Sequence, residues 1–105
     1  MDTPQATLNL LILRALSRGS NHGFGIVQYI QTASEGLLRV EEGSLYPALH
    51  RLDRDKLVTA EWKTTENGRR ARYYRLTPAG RKATEEAERR WMHLADGVAR
   101  VLKFV

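Results

Sequence analysis

The side chains best placed to do chemistry in this sequence are guanidinium and ammonium groups. Lys63, Arg69, Arg70, Arg72, Arg75, Arg81 and Lys82 fall within twenty residues that contain one acid, Glu66. The 105-residue chain carries 17 Lys and Arg against 12 Asp and Glu, a net +5, with a pI near 10.0. This one stretch, at +6, therefore holds more than the whole excess. Cations concentrated in a fifth of the sequence fit a polyanionic partner better than general solubility, although a solvated charged hairpin is the alternative. A second group lies just upstream. Ser44, Tyr46, Pro47, His50, Arg51 and Arg54 alternate with Leu45, Ala48, Leu49 and Leu52 at helical spacing. Proline apart, each of the first set donates or accepts hydrogen bonds, and an arginine on such a face can pair bidentately with guanine.

Catalytic chemistry has a poor footing. His22, His50 and His93 sit on three different predicted helices without ligand spacing, and the chain has no cysteine. No phosphate loop, zincin helix or nucleophile elbow occurs. Gly23-Phe24-Gly25 has no strand before it and no further glycine at fingerprint spacing, and Glu85, Glu86 and Glu88 suit a solvated helical face. The expectation is a protein that is not an enzyme, with no cofactor and no metal. The longest apolar run, Leu10 to Leu13, is far short of the roughly 20 residues of a membrane span. Met1-Asp2-Thr3-Pro4 is acidic and polar where a secretory leader is basic. A cytoplasmic protein that does not enter a membrane is expected. At 42% apolar and 28% charged residues, the composition is that of one ordinary globular domain.

The elements that must position these groups follow from periodicity and caps. Thr3 before Pro4 predicts a helix start, with the hydroxyl as cap and proline at the first helical position. Leu8, Leu11, Ile12, Ala15 and Leu16 form one stripe of that helix, and Leu10 and Leu13 fall on another. Two apolar faces require two covers, the second being another element or a partner subunit. Arg18-Gly19-Ser20-Asn21 ends the helix, and a second is expected from about His22 to Ala33. Gly23 and Gly25 in its first turn imply close backbone approach to a neighbouring helix. A third helix runs from about Gly43 to Asp55, with Pro47 near its start. Val58, Ala60 and Trp62 then alternate against Thr59, Glu61 and Lys63 as a strand. Asn67-Gly68 marks a tight hairpin, since both residues tolerate positive φ, and a return strand runs from Ala71 to Leu76. Tyr74 and Leu76 are expected in the core beneath this hairpin. Thr77-Pro78 launches a long helix on which Ala87, Trp91, Leu94, Val98, Val101 and Val105 alternate by four and three, a coiled-coil period. Packing of that stripe within its own subunit is the alternative.

Three helices, a hairpin with a basic tip and a further helix is the order of a winged helix-turn-helix, whose third helix enters the major groove while the wing lies on the phosphate backbone. The fold expected is mainly α with a small β-hairpin: a winged helix-turn-helix over residues 1–77 and a long C-terminal dimerisation helix over 78–105. Within that class the sequence resembles the PadR family of bacterial transcriptional regulators. The resemblance is carried by Leu10-Leu11-Ile12-Leu13 with Arg18-Gly19 and His22-Gly23, by Gly43-Ser44-Leu45-Tyr46-Pro47-Ala48-Leu49-His50-Arg51-Leu52, by Tyr73-Tyr74-Arg75-Leu76-Thr77, and by Ala79-Gly80-Arg81. Phe24 and Gly25 depart from the family's usual tyrosine and acid, and Lys56 stands where a glycine often ends the third helix.

The resemblance implies a homodimer, joined through the first and last helices, that binds double-stranded DNA at a palindromic operator as a repressor. Ser44, Tyr46, Pro47, His50 and Arg51 would face the DNA from the third helix, and Lys63, Arg69, Arg70 and Arg72 would meet phosphates from the wing. Tyr46 has an alternative role, its hydroxyl packed on a neighbouring helix. Leu10, Leu13, Trp91, Leu94 and Val98 would form the dimer interface, where some family members take a small-molecule effector. Trp91 would offer such a planar ligand its aromatic face, with plain interface packing as the alternative. A winged-helix module that binds protein and has no operator is the competing reading.

Overall fold

Apolar spacing of three and four residues in the helices, and alternation in the hairpin, produce the element order found in the computed structural model, which describes residues 3–105. The chain forms α1 (Gln5–Leu16), β1 (Asn21–His22), α2 (Gly23–Ala33), α3 (Glu42–Arg54), β2 (Val58–Thr64), β3 (Arg70–Leu76) and α4 (Pro78–Lys103). Met1 and Asp2, on which the expectation of an unexported chain partly rests, lie outside the described residues. Among the described residues, no helix is long and apolar enough to cross a membrane.

α1 is the centre of the domain and touches α2, α3, α4 and β3. Its Leu8, Ile12, Leu13, Ala15 and Leu16 are buried with Ile26 and Ile30 of α2, Leu45, Leu49 and Leu52 of α3, and Val58, Tyr74 and Leu76 of the hairpin. Leu13, expected at a subunit interface, is 3% exposed inside its own core. Because α1 has neighbours on several sides, its second apolar stripe is divided: Leu13 turns inward and Leu10 stays half-buried at the edge. The start of α1 also differs from expectation. Pro4 is the cap residue, with no side-chain cap bond, so Thr3 does not cap the helix.

α2 is capped by His22, whose Nδ1 accepts the Gly25 N–H at 3.1 Å. Asn21 and His22 also pair with Tyr74 and Tyr73, so the sheet has three antiparallel strands in the order β1-β3-β2 instead of a bare hairpin. A Cβ on Gly23 would sit 2.8 Å from the Tyr46 hydroxyl of α3, which is the close helix approach the glycine signals. At Gly25 the crowding comes from the side chain of Asn21, in the turn before its own helix.

α3 buries Leu45, Ala48, Leu49 and Leu52. Pro47 lies in its second turn, one residue further in than expected because α3 starts at Glu42, and so removes the bond its N–H would make to the Gly43 carbonyl. The helix ends at Lys56 with φ of 61°, a left-handed residue that costs about 1 kcal/mol without glycine.

The wing turn differs from the tight Asn-Gly form. Thr64 pairs with Arg70, Thr65 N–H donates to the Arg69 carbonyl, and Gly68 N–H donates to the Thr65 carbonyl. Of the turn residues only Gly68 has positive φ, at 79°. This is the three-residue loop that ends in a left-handed glycine, not a two-residue primed turn.

Thr77 joins three parts of the fold. Its Oγ1 accepts the Gly80 N–H at 2.9 Å as the α4 cap and donates to the Lys56 carbonyl at 2.7 Å, and its N–H donates to the Leu57 carbonyl at 3.1 Å. α4 packs its first half on α1 and the hairpin, then projects free, giving principal extents of 57 × 29 × 21 Å. The radius of gyration is 15.0 Å, against about 13 Å for a compact chain of this length. The helix ends at Lys103, so Val105 falls outside the apolar seam expected for it.

Candidate nucleic-acid interface

Strand register decides which wing residues share a face with α3. Opposed residues point to the same side, so Val58–Leu76, Ala60–Tyr74, Trp62–Arg72 and Thr64–Arg70 lie on the side that continues into the core. Thr59–Arg75, Glu61–Tyr73 and Lys63–Ala71 lie on the other. Beyond the edge of the core the first face is polar and cationic. Trp62 is 57% exposed there, with the Arg70 guanidinium 5.4 Å and the Arg72 guanidinium 6.0 Å from the ring centroid. Both cations lie against the one indole ring.

That face meets α3 through two tyrosines. Tyr74 is buried at the root of the wing. Burial pushes its phenol above the ordinary value; Arg72 works in the opposite sense, and Tyr46 and Asp53 in the same sense as burial. Tyr46 leans its ring on Gly23 and stays half exposed. The hydroxyl packed on a neighbouring helix and the exposed aromatic edge are thus one side chain. Pro47, His50 and Arg54 continue the outer face of α3, and Ser44 is exposed at its flank.

Two expected contacts stand apart from this surface. Lys63 lies on the opposite face of the wing, 3.3 Å from Glu61 and 5.5 Å from the Tyr73 ring centroid. Arg51 is half-buried and turned toward α1. With the Gln5 amide oxygen facing it, Arg51 donates from Nε at 2.9 Å and from a terminal nitrogen at 3.0 Å. Arg69 is exposed at the tip, its N–H bonded to the Thr65 hydroxyl at 3.3 Å.

Sequence reasoning put Trp62 on one strand face with Val58 and Ala60 and gave it no part in binding; its signal is the cross-strand partner Arg72, visible once the register is known. Arg54, one of the outer-face residues read from the sequence, is an exposed cation at the end of α3 that lies 3.4 Å from Asp55. Gln5 gave no signal at all.

The residues expected at an interface, Leu13 apart, form a separate constellation. Leu10 of α1 and Trp91 and Leu94 of α4 line one cleft of about 210 Å³ together with Ala6, Thr7, Ala87 and Arg90. Further along, Leu94, Val98, Val101 and Leu102 line an open apolar groove of about 470 Å³. Leu94 is 63% exposed there.

The architecture has relatives of known kind. A family model described as the transcriptional regulator PadR-like family matches residues 12–86. The transcriptional regulator Rv3488 of Mycobacterium tuberculosis is 40% identical over 91 residues, spanning 87% of this chain and 81% of that protein. Among solved structures, a PadR family transcriptional regulator from Eggerthella lenta is similar with a TM-score of 0.78 at 32% identity, covering 94% of this chain and 84% of the other. A PadR-like transcriptional regulator from Bacillus cereus is similar with a TM-score of 0.79 at 26% identity, covering 94% of both. A winged helix-turn-helix with a cationic wing, matched over its recognition helix, its wing and the start of its last helix, thus belongs to the PadR-like family of transcriptional regulators.

Proposed function

We propose that the protein is a homodimeric repressor that binds a palindromic DNA operator, with residues 1–77 as the reading unit and α4 as the dimerisation helix. Two copies meet through the exposed stripe of Trp91, Leu94 and Val98, with Leu10 at its edge. Each copy lays the outer face of α3, with Ser44, Tyr46, Pro47 and His50, in a major groove, and sets Arg69, Arg70 and Arg72 on phosphates. The observation that carries this reading is the pair of guanidiniums held on Trp62 on the face shared with α3. Repression of transcription is the mode the family resemblance suggests. A planar apolar effector would lie between the two copies against Trp91, where aromatic and aliphatic walls already form a cleft.

The competing reading, a module that binds protein, needs an apolar patch on the α3–wing surface. The exposed aliphatic stripe of Leu94, Val98, Val101 and Leu102 lies on α4 instead, and no exposed Leu, Ile, Val or Met lies on α3 or the wing. Salt decides between the two: DNA affinity through several phosphate contacts falls by orders of magnitude between about 50 and 200 mM, whereas apolar association hardly responds. The measurement is fluorescence anisotropy with labelled duplex. A flat salt response, or no binding at the lowest salt, overturns the proposal.

A further inference from the structure

Arg51 stands on the recognition helix, where an arginine is ordinarily taken as a base reader. Its surroundings point to another use. The guanidinium carries five N–H donors in a rigid fork. With the Gln5 amide turned so that its oxygen, not its nitrogen, faces the guanidinium, two of them reach that oxygen at 2.9 and 3.0 Å, along the edge formed by Nε and one terminal nitrogen. Three donors remain. The partner is neutral, so the full positive charge survives the contact. Three other cations sit beside carboxylates: Arg54 lies beside Asp55, Lys63 beside Glu61, and Arg100 beside Asp96. Among the described residues no carboxylate lies within ion-pair distance of Arg51. Position agrees with this. Arg51 is half-buried, on the flank of α3 that faces α1, while Pro47, His50 and Arg54 occupy the outer face. A base reader needs reach and rotational freedom toward the groove floor. A guanidinium fixed by its inner edge at a helix–helix corner presents a preset outer edge to the groove's rim, where phosphate oxygens run.

We propose that Gln5 is a positioning residue for DNA binding: it locks the Arg51 guanidinium as a phosphate clamp at the α1–α3 corner. The neutral amide supplies the geometry without cancelling the charge, and the fixed rotamer removes part of the ordering cost that a free arginine pays on contact. The clamp rests on the DNA-binding reading given above. It departs from the role expected for Arg51 on sequence grounds, because a phosphate clamp tightens binding to every sequence alike.

The test uses full-length wild type, Gln5→Glu, Arg51→Ala and the double variant. Each is titrated with a random-sequence duplex about three helical turns long over a range of salt, and its thermal unfolding is followed without DNA. Gln5→Glu keeps the acceptor and adds a charge, so the contact to Arg51 and the thermal midpoint are retained. Its charge neutralises the clamp, and affinity for random DNA falls roughly tenfold while the salt slope drops by about 0.9. With Arg51 already replaced by alanine, Gln5→Glu changes affinity less than about threefold. Arg51→Ala weakens operator and scrambled duplexes equally. The clamp is overturned if Gln5→Glu costs the same in both backgrounds, if it lowers the thermal midpoint, or if Arg51→Ala harms operator binding selectively. Wild type that ignores DNA even at the lowest salt overturns the clamp together with the DNA-binding reading, whereas equal costs in the two backgrounds overturn the clamp alone.

Discussion

Trp62 is an exposed aromatic ring in contact with two guanidiniums, and at exposed sites each such contact stabilises by about 0.5–1 kcal/mol. The ring carries no charge, so it acts by arranging the cations. This separates two variants that would otherwise look alike. Trp62→Ala is expected to weaken DNA binding roughly threefold to tenfold with nearly the wild-type salt slope, because both charges remain. Arg70→Ala with Arg72→Ala lowers that slope by about 1.8, since two phosphate contacts are lost. Anisotropy titrations at several salt concentrations measure both. Beneath the ring, Tyr74 titrates above the ordinary phenol value because it is buried. The unfolded chain therefore loses its phenolic proton first. The stability held by neutral Tyr74 is intact below about pH 10 and is lost as pH rises through the folded value. Chemical denaturation across that alkaline limb should show a steeper decline for wild type than for Tyr74→Phe.

At the scale of elements, Gly80 and Lys56 are two backbone sites where a single substitution has a defined sign. A Cβ on Gly80 would fall inside contact distance of the Leu57 backbone carbonyl, with no flexible side chain to yield. Gly80→Ala is expected to destabilise by about 3 kcal/mol despite alanine's better helix propensity, visible as a lower urea midpoint. Lys56→Gly relieves a left-handed residue and should raise stability by about 1 kcal/mol in the same assay. Part of the helix pattern was readable in the sequence because it is local: Thr77-Pro78 starts α4 where expected, and Leu45, Leu49 and Leu52 face the core of α3, although the same hydroxyl-then-proline pair at Thr3-Pro4 supplies no side-chain cap. The wing register was not. A two-residue Asn67-Gly68 turn would oppose Trp62 to Tyr73, whereas the three-residue loop opposes it to Arg72. That slip of one residue moves the cross-strand partners to opposite faces, and it follows from one torsion angle, φ at Gly68, that composition does not reveal. β1 escaped notice for a related reason. Asn21 and His22 have little strand propensity and pair only because β3 offers an edge. The division of labour between Leu10 and Leu13 depends on where α4 crosses α1, a tertiary fact outside the helical period.

For the molecule as a whole, the free half of α4 is the feature that asks for a second copy. Its exposed aliphatic stripe is a poor face to leave in water, and a helix of 26 residues, about 39 Å long, outreaches the domain that starts it. In the proposed dimer, Leu94→Glu together with Val98→Glu buries like charges across the seam. Sedimentation should then give a single-copy mass, and operator affinity should fall by orders of magnitude as binding reverts to one half-site. Trp91 emission should move to the red as the ring enters water. A dimer that survives both substitutions removes α4 from the interface. The joint at Thr77 gives this arrangement its mechanics. One residue rivets the exit of α3, the root of the wing and the first turn of α4, so the tail cannot swivel without the head. Over a lever about 39 Å long, a change of about 10° in the angle between the tails displaces one head relative to the other by about 7 Å. Half-sites spaced by the 34–36 Å turn of a duplex tolerate little of that. A molecule wedged between the tails would therefore act as a caliper adjustment, dismissing the operator by altering a span and touching no base.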